Sequence, residues 1–132
     1  MTHQRLTIPS VPASIAQLET FVQKILEKNK INLERYPDIL ISLTEAVNNA
    51  IIHGNKNDRK KKVRISLKHK GNTIIFVVSD EGCGFNMEEL PDPTTPDNIE
   101  CCGGRGVYIM SKLCDNIYFQ NNGSTVEMCF HV

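Results

Sequence analysis

The 132-residue chain lacks any apolar run long enough to cross a bilayer. Its opening stretch, MTHQRLTIPS, lacks the basic start and apolar core of a secretory signal. No Cys-x-x-Cys pair is present, so a structural zinc site has no support. The 5 cysteines are odd in number. With no signal beside them they point to free thiols in a reduced, cytoplasmic compartment rather than to a disulfide framework. Internal repeats are absent. Net charge is also absent, at +0 with histidine neutral. What remains is 40% hydrophobic and 23% charged residues, the balance of a folded globular chain rather than a disordered one. The length fits one domain, residues 1–132, with one sizeable core.

The charge is unevenly spread. Lys56, Arg59, Lys60, Lys61, Lys62, Arg64, Lys68 and Lys70 face only Asp58 between residues 56 and 70. Asp80, Glu81, Glu88, Glu89, Asp92, Asp97 and Glu100 then follow with no base among them. A basic patch is one signature of nucleic-acid binding. Here no aromatic residues interleave the lysines to stack on bases, and a solvated loop with the outer face of a strand accounts for the run. Direct nucleic-acid binding is therefore not expected, and neither is membrane association.

Periodicity gives the elements. Residues 4–9 read as a short edge strand ending at Pro9. Ile15, Leu18, Phe21, Val22, Ile25 and Leu26 are spaced by three and four, which predicts a helix ending near Asn29. A second helix is predicted over about 37–53, with Gly54-Asn55 as its stop signal. VRISLKH alternates as a half-wet strand, and Lys70-Gly71-Asn72 makes a turn. TIIFVVSD is nearly continuously apolar and reads as a strand buried on both faces. Residues 82–104 form a long irregular loop, GVYIMSKLC a short helix, and DNIYFQ with STVEMCFHV a closing hairpin. The order β, α, α, β, β, loop, α, β, β implies an α/β (α+β) two-layer sandwich. Helices should cover one face of a mixed, mostly antiparallel sheet.

Three stretches carry chemistry. In LTEAVNNAIIHGN, residues 43 to 55, Glu45, Asn49 and His53 share one helical stripe, while Leu40, Leu43, Val47 and Ala50 form an apolar one. An amide oxygen is a hard ligand suited to Mg2+, and a carboxylate can take a proton from a hydroxyl or a water. Read from the residues alone, Glu45 is either such a base or a partner for a nearby lysine. His53 fits a helix-end cap. In SDEGCGF, an acid closes a strand and Gly82 and Gly84 let the backbone approach a flat ligand. The plain alternative there is a turn. In CCGGRGVYIM, Gly103, Gly104 and Gly106 directly precede a helix, where free N–H groups and the positive dipole end suit phosphate, and Arg105 adds a planar cation. The spacing is neither a P-loop nor a dinucleotide fingerprint. Cys83, Cys101 and Cys102 could approach one another around the loop, though ordinary reduced thiols explain them.

Taken in order, Glu-x-x-x-Asn on a helix, Asp-x-Gly-x-Gly, a long loop and Gly-Gly-x-Gly before a helix resemble the GHKL, histidine-kinase-like ATPase domains. LTEAVNNAIIHGN, DEGCGF and GGRGVYIMSKLCDNI look most like the anti-sigma-factor serine-protein kinases of bacterial partner-switching systems. The likeness runs from about Pro9 to the C-terminus. It implies that ATP and Mg2+ are the cofactors and that residues 82–104 are an ATP lid. Glu45 would be the general base and Asn49 the Mg2+ ligand. Asp80 would bind the adenine amino group, with Gly82 and Gly84 giving the base room. Gly104, Arg105 and Gly106 would hold the phosphates, and Thr125 would hold adenine through water. It implies as partners a small anti-sigma-factor antagonist, a sigma factor and a second copy of the chain. The alternative is a catalytically inactive module in which ATP only gates a protein partner.

Overall fold

The computed structural model describes residues 2–31, 33–82, 104–121 and 124–132. The predicted lid, with Gly84, Gly103, Cys83, Cys101, Cys102 and most of the acidic run, lies outside them. Strand β1 (Thr2–Pro9) leads through a 3-10 turn (Pro12–Ser14) into α1 (Ile15–Lys28). A second 3-10 turn (Leu33–Arg35) opens α2 (Tyr36–Asn49), which ends in a wider π-helical turn (Ala50–Gly54). Then come β2 (Lys62–Lys70), β3 (Thr73–Ser79), α3 (Gly104–Leu113), β4 (Asn116–Gln120) and β5 (Thr125–His131). None of the helices is long and apolar enough to cross a membrane among the described residues.

The sheet has 5 strands in the order β1-β2-β3-β5-β4. Every pairing is antiparallel, so the mixed sheet allowed by the sequence resolves to a purely antiparallel one. β2 and β3 are joined by Gly71-Asn72, with Gly71 at φ 59° supplying the left-handed residue that the tight turn needs. β1 is an edge, where Pro9 can lack an N–H without breaking a ladder on its free side.

Inner positions alternate along β2 and β3, as a period of two dictates, while β5 also buries Thr125 and Cys129 on its other face. Ile8, Val63, Ile65, Leu67, Ile74, Phe76, Val78, Val126, Met128 and Phe130 are buried on the helix-covered face. Leu18, Val22, Ile25 and Leu26 of α1, and Ile39, Leu43, Ala46 and Val47 of α2, cover them. Phe76 and Phe130 meet edge to face at 6.1 Å. The expectation that β3 is buried on both faces needs correction. Ile75 and Val77 are only half-buried. The flanking strands β2 and β5 shade them, and no second layer lies over them among the described residues. Apolar content therefore reflects the strand's central place in the sheet rather than two packed faces.

Arg35 ties the ends of the fold together. Its guanidinium donates to Asp38 at 3.0 Å and to Asp115 at 2.9 Å, and lies 5.7 Å from the Phe130 ring centroid. Asp115 in turn accepts the His131 N–H at 2.7 Å. One cation thus joins the start of α2, the α3–β4 corner and the last strand.

Truncation separates the two sheet faces. Phe76→Ala should lower the unfolding free energy by about 3–5 kcal/mol, because Phe76 is 0% exposed. Ile75→Ala should cost well under half of that in the same urea titration. Equal losses would show that the outer face is covered after all.

Candidate functional site

The site begins on α2. Its apolar stripe (Ile39, Leu43, Ala46, Val47, Ala50) is buried, and Leu40 is only half-buried. Glu45, Asn48 and Asn49 sit beside it, half-buried. Glu45 and Asn49 are one turn apart on a seam that the core does not fill. Their oxygens can therefore meet a ligand without prior loss of all solvent. His53 does not continue the seam. It is exposed, because the helix widens after Asn49 and its later residues rotate off the α-helical register.

The widening is visible in the backbone. Asn55 N–H donates to the Ala50 carbonyl at 2.8 Å, five residues back, and Asn57 N–H donates to Ile51 at 2.7 Å. The chain reverses at Lys56 and Asn57, both left-handed at φ 52° and 59°. Gly54 is therefore not the left-handed stop that the sequence suggests. Its role is proximity. A Cβ on Gly54 would lie closer than 3.0 Å to both carboxylate oxygens of Asp80, and a Cβ on Gly82 closer than 3.0 Å to the Gly54 carbonyl. The end of α2 and the end of β3 meet with no space for a side chain between them.

Asp80 stands at this meeting point. Its own N–H donates to Ser124 O at 2.9 Å. Its Oδ1 accepts the Gly82 N–H at 2.8 Å, closing the tight turn. Burial raises its pKa above the ordinary 3.8, against the lowering effects of the Gly82 N–H and the Lys61 charge. Thr125 is brought beside it, since β3 and β5 pair Ser79 with Thr125. The Ser79 and Thr125 hydroxyls lie 3.2 Å apart, and Asn121 Nδ2 donates to Thr125 Oγ1 at 3.3 Å. Of the neighbouring hydroxyls, Ser124 instead donates to Asn121 O at 2.9 Å. Thr125 is thus the one aimed at the end of β3.

Gly104, Arg105 and Gly106 form the first turn of α3, whose opening N–H groups have no helical acceptor. Buried Val107 and Met110 seat α3 against α2. The structure therefore brings together Glu45 and Asn49 on one helix, Asp80 and Gly82 packed on its end, and Thr125 behind them, with the glycine turn opening the neighbouring helix. Gly84 lies outside the described residues. The sequence gives Asn55 only a place in the helix stop signal, yet it proves to be 1% exposed and fully hydrogen-bonded. An asparagine directly after a glycine reads as a helix stop, and only the fold shows what it touches.

A family model described as histidine kinase-like ATPase domain matches residues 8–130. The chain belongs to the histidine kinase-like ATPase family. An anti-sigma F factor from Anoxybacillus flavithermus is 36% identical over 129 residues, covering 93% of this chain and 80% of that protein. The serine-protein kinase RsbW from Bacillus subtilis is 26% identical over 130 residues, with 93% and 81% covered. The crystal structure of the RsbU and RsbW domains of a Mycobacterium tuberculosis protein superposes with a TM-score of 0.71 at 13% identity, covering 99% of this chain and 32% of that one. It is a match of fold. Membership in this ATPase family implies nucleotide use.

Two measurements check the geometry. Gly54→Ala should destabilise by about 1–3 kcal/mol through overpacking against Asp80, read as a lower denaturation midpoint. Asp80→Asn tests the half-buried carboxylate. An acid with a raised folded pKa holds its proton more tightly when folded. Its contribution to stability is thus full below 3.8 and is lost as pH rises through the folded value. Asn lacks that loss, so the Tm of Asp80→Asn relative to wild type should be higher at about pH 7 than at about pH 3.5. A difference independent of pH would mean that Asp80 is not desolvated.

Proposed function

We propose that this chain is an ATP-dependent serine-protein kinase that phosphorylates a small anti-sigma-factor antagonist and sequesters a sigma factor in a partner-switching system. One observation carries the reading. The polar seam of α2, the aspartate turn and the glycine start of α3 belong to one neighbourhood of the fold, in a chain whose relatives are named anti-sigma factors and a serine-protein kinase.

In this reading Asp80 accepts the exocyclic amine of adenine, with Gly82 and Gly84 leaving room for the ring and Thr125 holding it through water. Gly104 and Gly106 present N–H groups to the phosphates, and Arg105 neutralises the γ-phosphate. Asn49 offers an oxygen to Mg2+. The donor set fits that ion. No group of three acidic, histidine or cysteine side chains forms a protein cage among the described residues, and Mg2+ typically takes one or two protein oxygens and completes its shell with phosphates and water. When bound, the ion neutralises phosphate charge. Glu45, one turn before Asn49, takes the proton of the acceptor serine. Catalysis is then mainly placement and charge neutralisation around the transferred phosphoryl group. The chain works in the cytoplasm as a homodimer, and the bound nucleotide sets which protein partner is held.

Glu45→Ala decides the catalytic assignment. Calorimetry should show ATP bound as in wild type, while phosphate transfer to the antagonist falls by about 10²–10⁴-fold. Undiminished transfer removes Glu45 from the mechanism. Wild-type protein that binds ATP, switches partners and transfers no phosphate to any of them is a regulatory module instead. Pull-downs with ATP, ADP and no nucleotide read the partner switch directly.

A further inference from the structure

We infer that Asn55 is a positioning residue for purine recognition, its side-chain amide fixing the Asp80–Gly82 turn by holding the Glu81 peptide. The inference rests on the nucleotide reading above and extends it to a residue that touches no ligand.

The amide of Asn55 joins three segments distant in sequence. Its Oδ1 accepts the Glu81 N–H at 2.8 Å. Its Nδ2 donates to Ser10 Oγ at 2.8 Å and to the Lys62 carbonyl at 3.0 Å. The orientation of the amide admits no alternative, because a backbone N–H only donates and a backbone carbonyl only accepts. Both amide hydrogens are used. Asn55 is also tied through its own backbone, donating to Ala50 O at 2.8 Å and accepting from Asp58 N–H at 3.0 Å.

The anchor side is rigid. Ser10 is 0% exposed, and its hydroxyl donates to the Lys61 carbonyl at 2.7 Å. Ser10 lies just past the end of β1, and Lys62 opens β2, so the Nδ2 end is fixed to the sheet. The Oδ1 end reaches the middle of the turn whose first residue is Asp80. Around that turn Asp80 N–H is held by Ser124, Gly82 N–H by Asp80 itself, and Glu81 N–H by Asn55. Glu81 adds a return contact, its carboxylate accepting the Lys62 N–H. Glu81 N–H is therefore the point of the turn whose geometry depends on a side chain from the end of α2. Asp in place of Asn55 would set a carboxylate oxygen against the Lys62 carbonyl. Gln would overreach a site in which every donor and acceptor is already spaced for Asn. Recognition of a purine amine by a carboxylate depends on that carboxylate being held still before the ligand arrives.

The test compares ADP with inosine diphosphate, which carries an oxygen where adenine carries the amine. By calorimetry, Asn55→Ala should weaken ADP by about tenfold and inosine diphosphate much less, so that the preference for ADP collapses. A general loosening of the protein would lower both alike. Ser10→Ala removes one of the two Nδ2 bonds and leaves those to the Lys62 carbonyl and the Glu81 N–H, so it should lower the preference much less than Asn55→Ala does. Hydrogen exchange supplies a readout that needs no nucleotide. The Glu81 amide should be protected in wild type and exchange faster in Asn55→Ala, while the Asp80 amide, held by Ser124, stays slow. An unchanged ADP preference in a folded Asn55→Ala overturns the inference. If that variant does not fold, a Glu81 amide in wild type that exchanges as fast as an open loop overturns it instead. Wild-type protein that binds neither diphosphate overturns the proposed function, with Glu81 protection reporting separately on the turn.

Discussion

The close approach of Gly54 to Asp80 is the constraint on which the site depends. A helix end and a strand end come together so closely that Gly54 lies against the Asp80 carboxylate and Gly82 against the Gly54 carbonyl, with no room for a Cβ on either glycine. That contact sets the end of the helix that carries Glu45 and Asn49 against the half-buried Asp80. It also explains the π-helical turn. An uninterrupted α-helix would carry residues 50–54 along its own axis, whereas the wider turn redirects them toward β3 and leaves Asn55 pointing inward. Such widenings often mark sites where a helix serves function at the expense of its own regularity.

The acid at this junction is kept in an environment that opposes its charge, since desolvation outweighs the neighbouring N–H and lysine. In the proposed reading, function and stability pull in opposite directions there. A protein selected for stability alone would place a neutral side chain at the end of β3. A desolvated acceptor instead gains from a donor that replaces lost water, which is what a purine amine provides. The surrounding turn is held by bonds from Ser124, from the aspartate itself and from Asn55.

Much of this was legible in the chain. Periodicities of three-to-four and of two located the helices and strands in order, because each element buries one face and the pattern of apolar residues records it. The motif residues Glu45, Asn49, Asp80, Gly82 and Thr125 were legible as residue types in suggestive company. What escaped was whatever depends on contacts between distant segments. AIIHG reads as ordinary helix, whereas it widens into a π-helical turn whose last residue, Gly54, lies against residues 80–82. Gly54 reads as a stop, though its backbone does not need a positive φ. Ile75 and Val77 read as core, yet their apolar character belongs to a central strand with one open side. Nothing in the sequence singles out Arg35, while Asp115, 80 residues on, makes it a clasp.

The neighbouring of β3 and β5 has a consequence for how such a chain can change. These strands are held side by side along the run from Thr73 with His131 to Ser79 with Thr125, although everything from Asp80 to Ser124 intervenes. Because the ladder fixes both ends of that intervening stretch, residues can be added between the elements it contains, α3 and β4, without altering the pairing. Doubling a closed loop adds only about 0.6 kcal/mol, far less than the pairing it connects. The fold can therefore accept insertions and deletions between the two strands, and with them new surfaces for protein partners, while the seven-residue register beneath stays as it is.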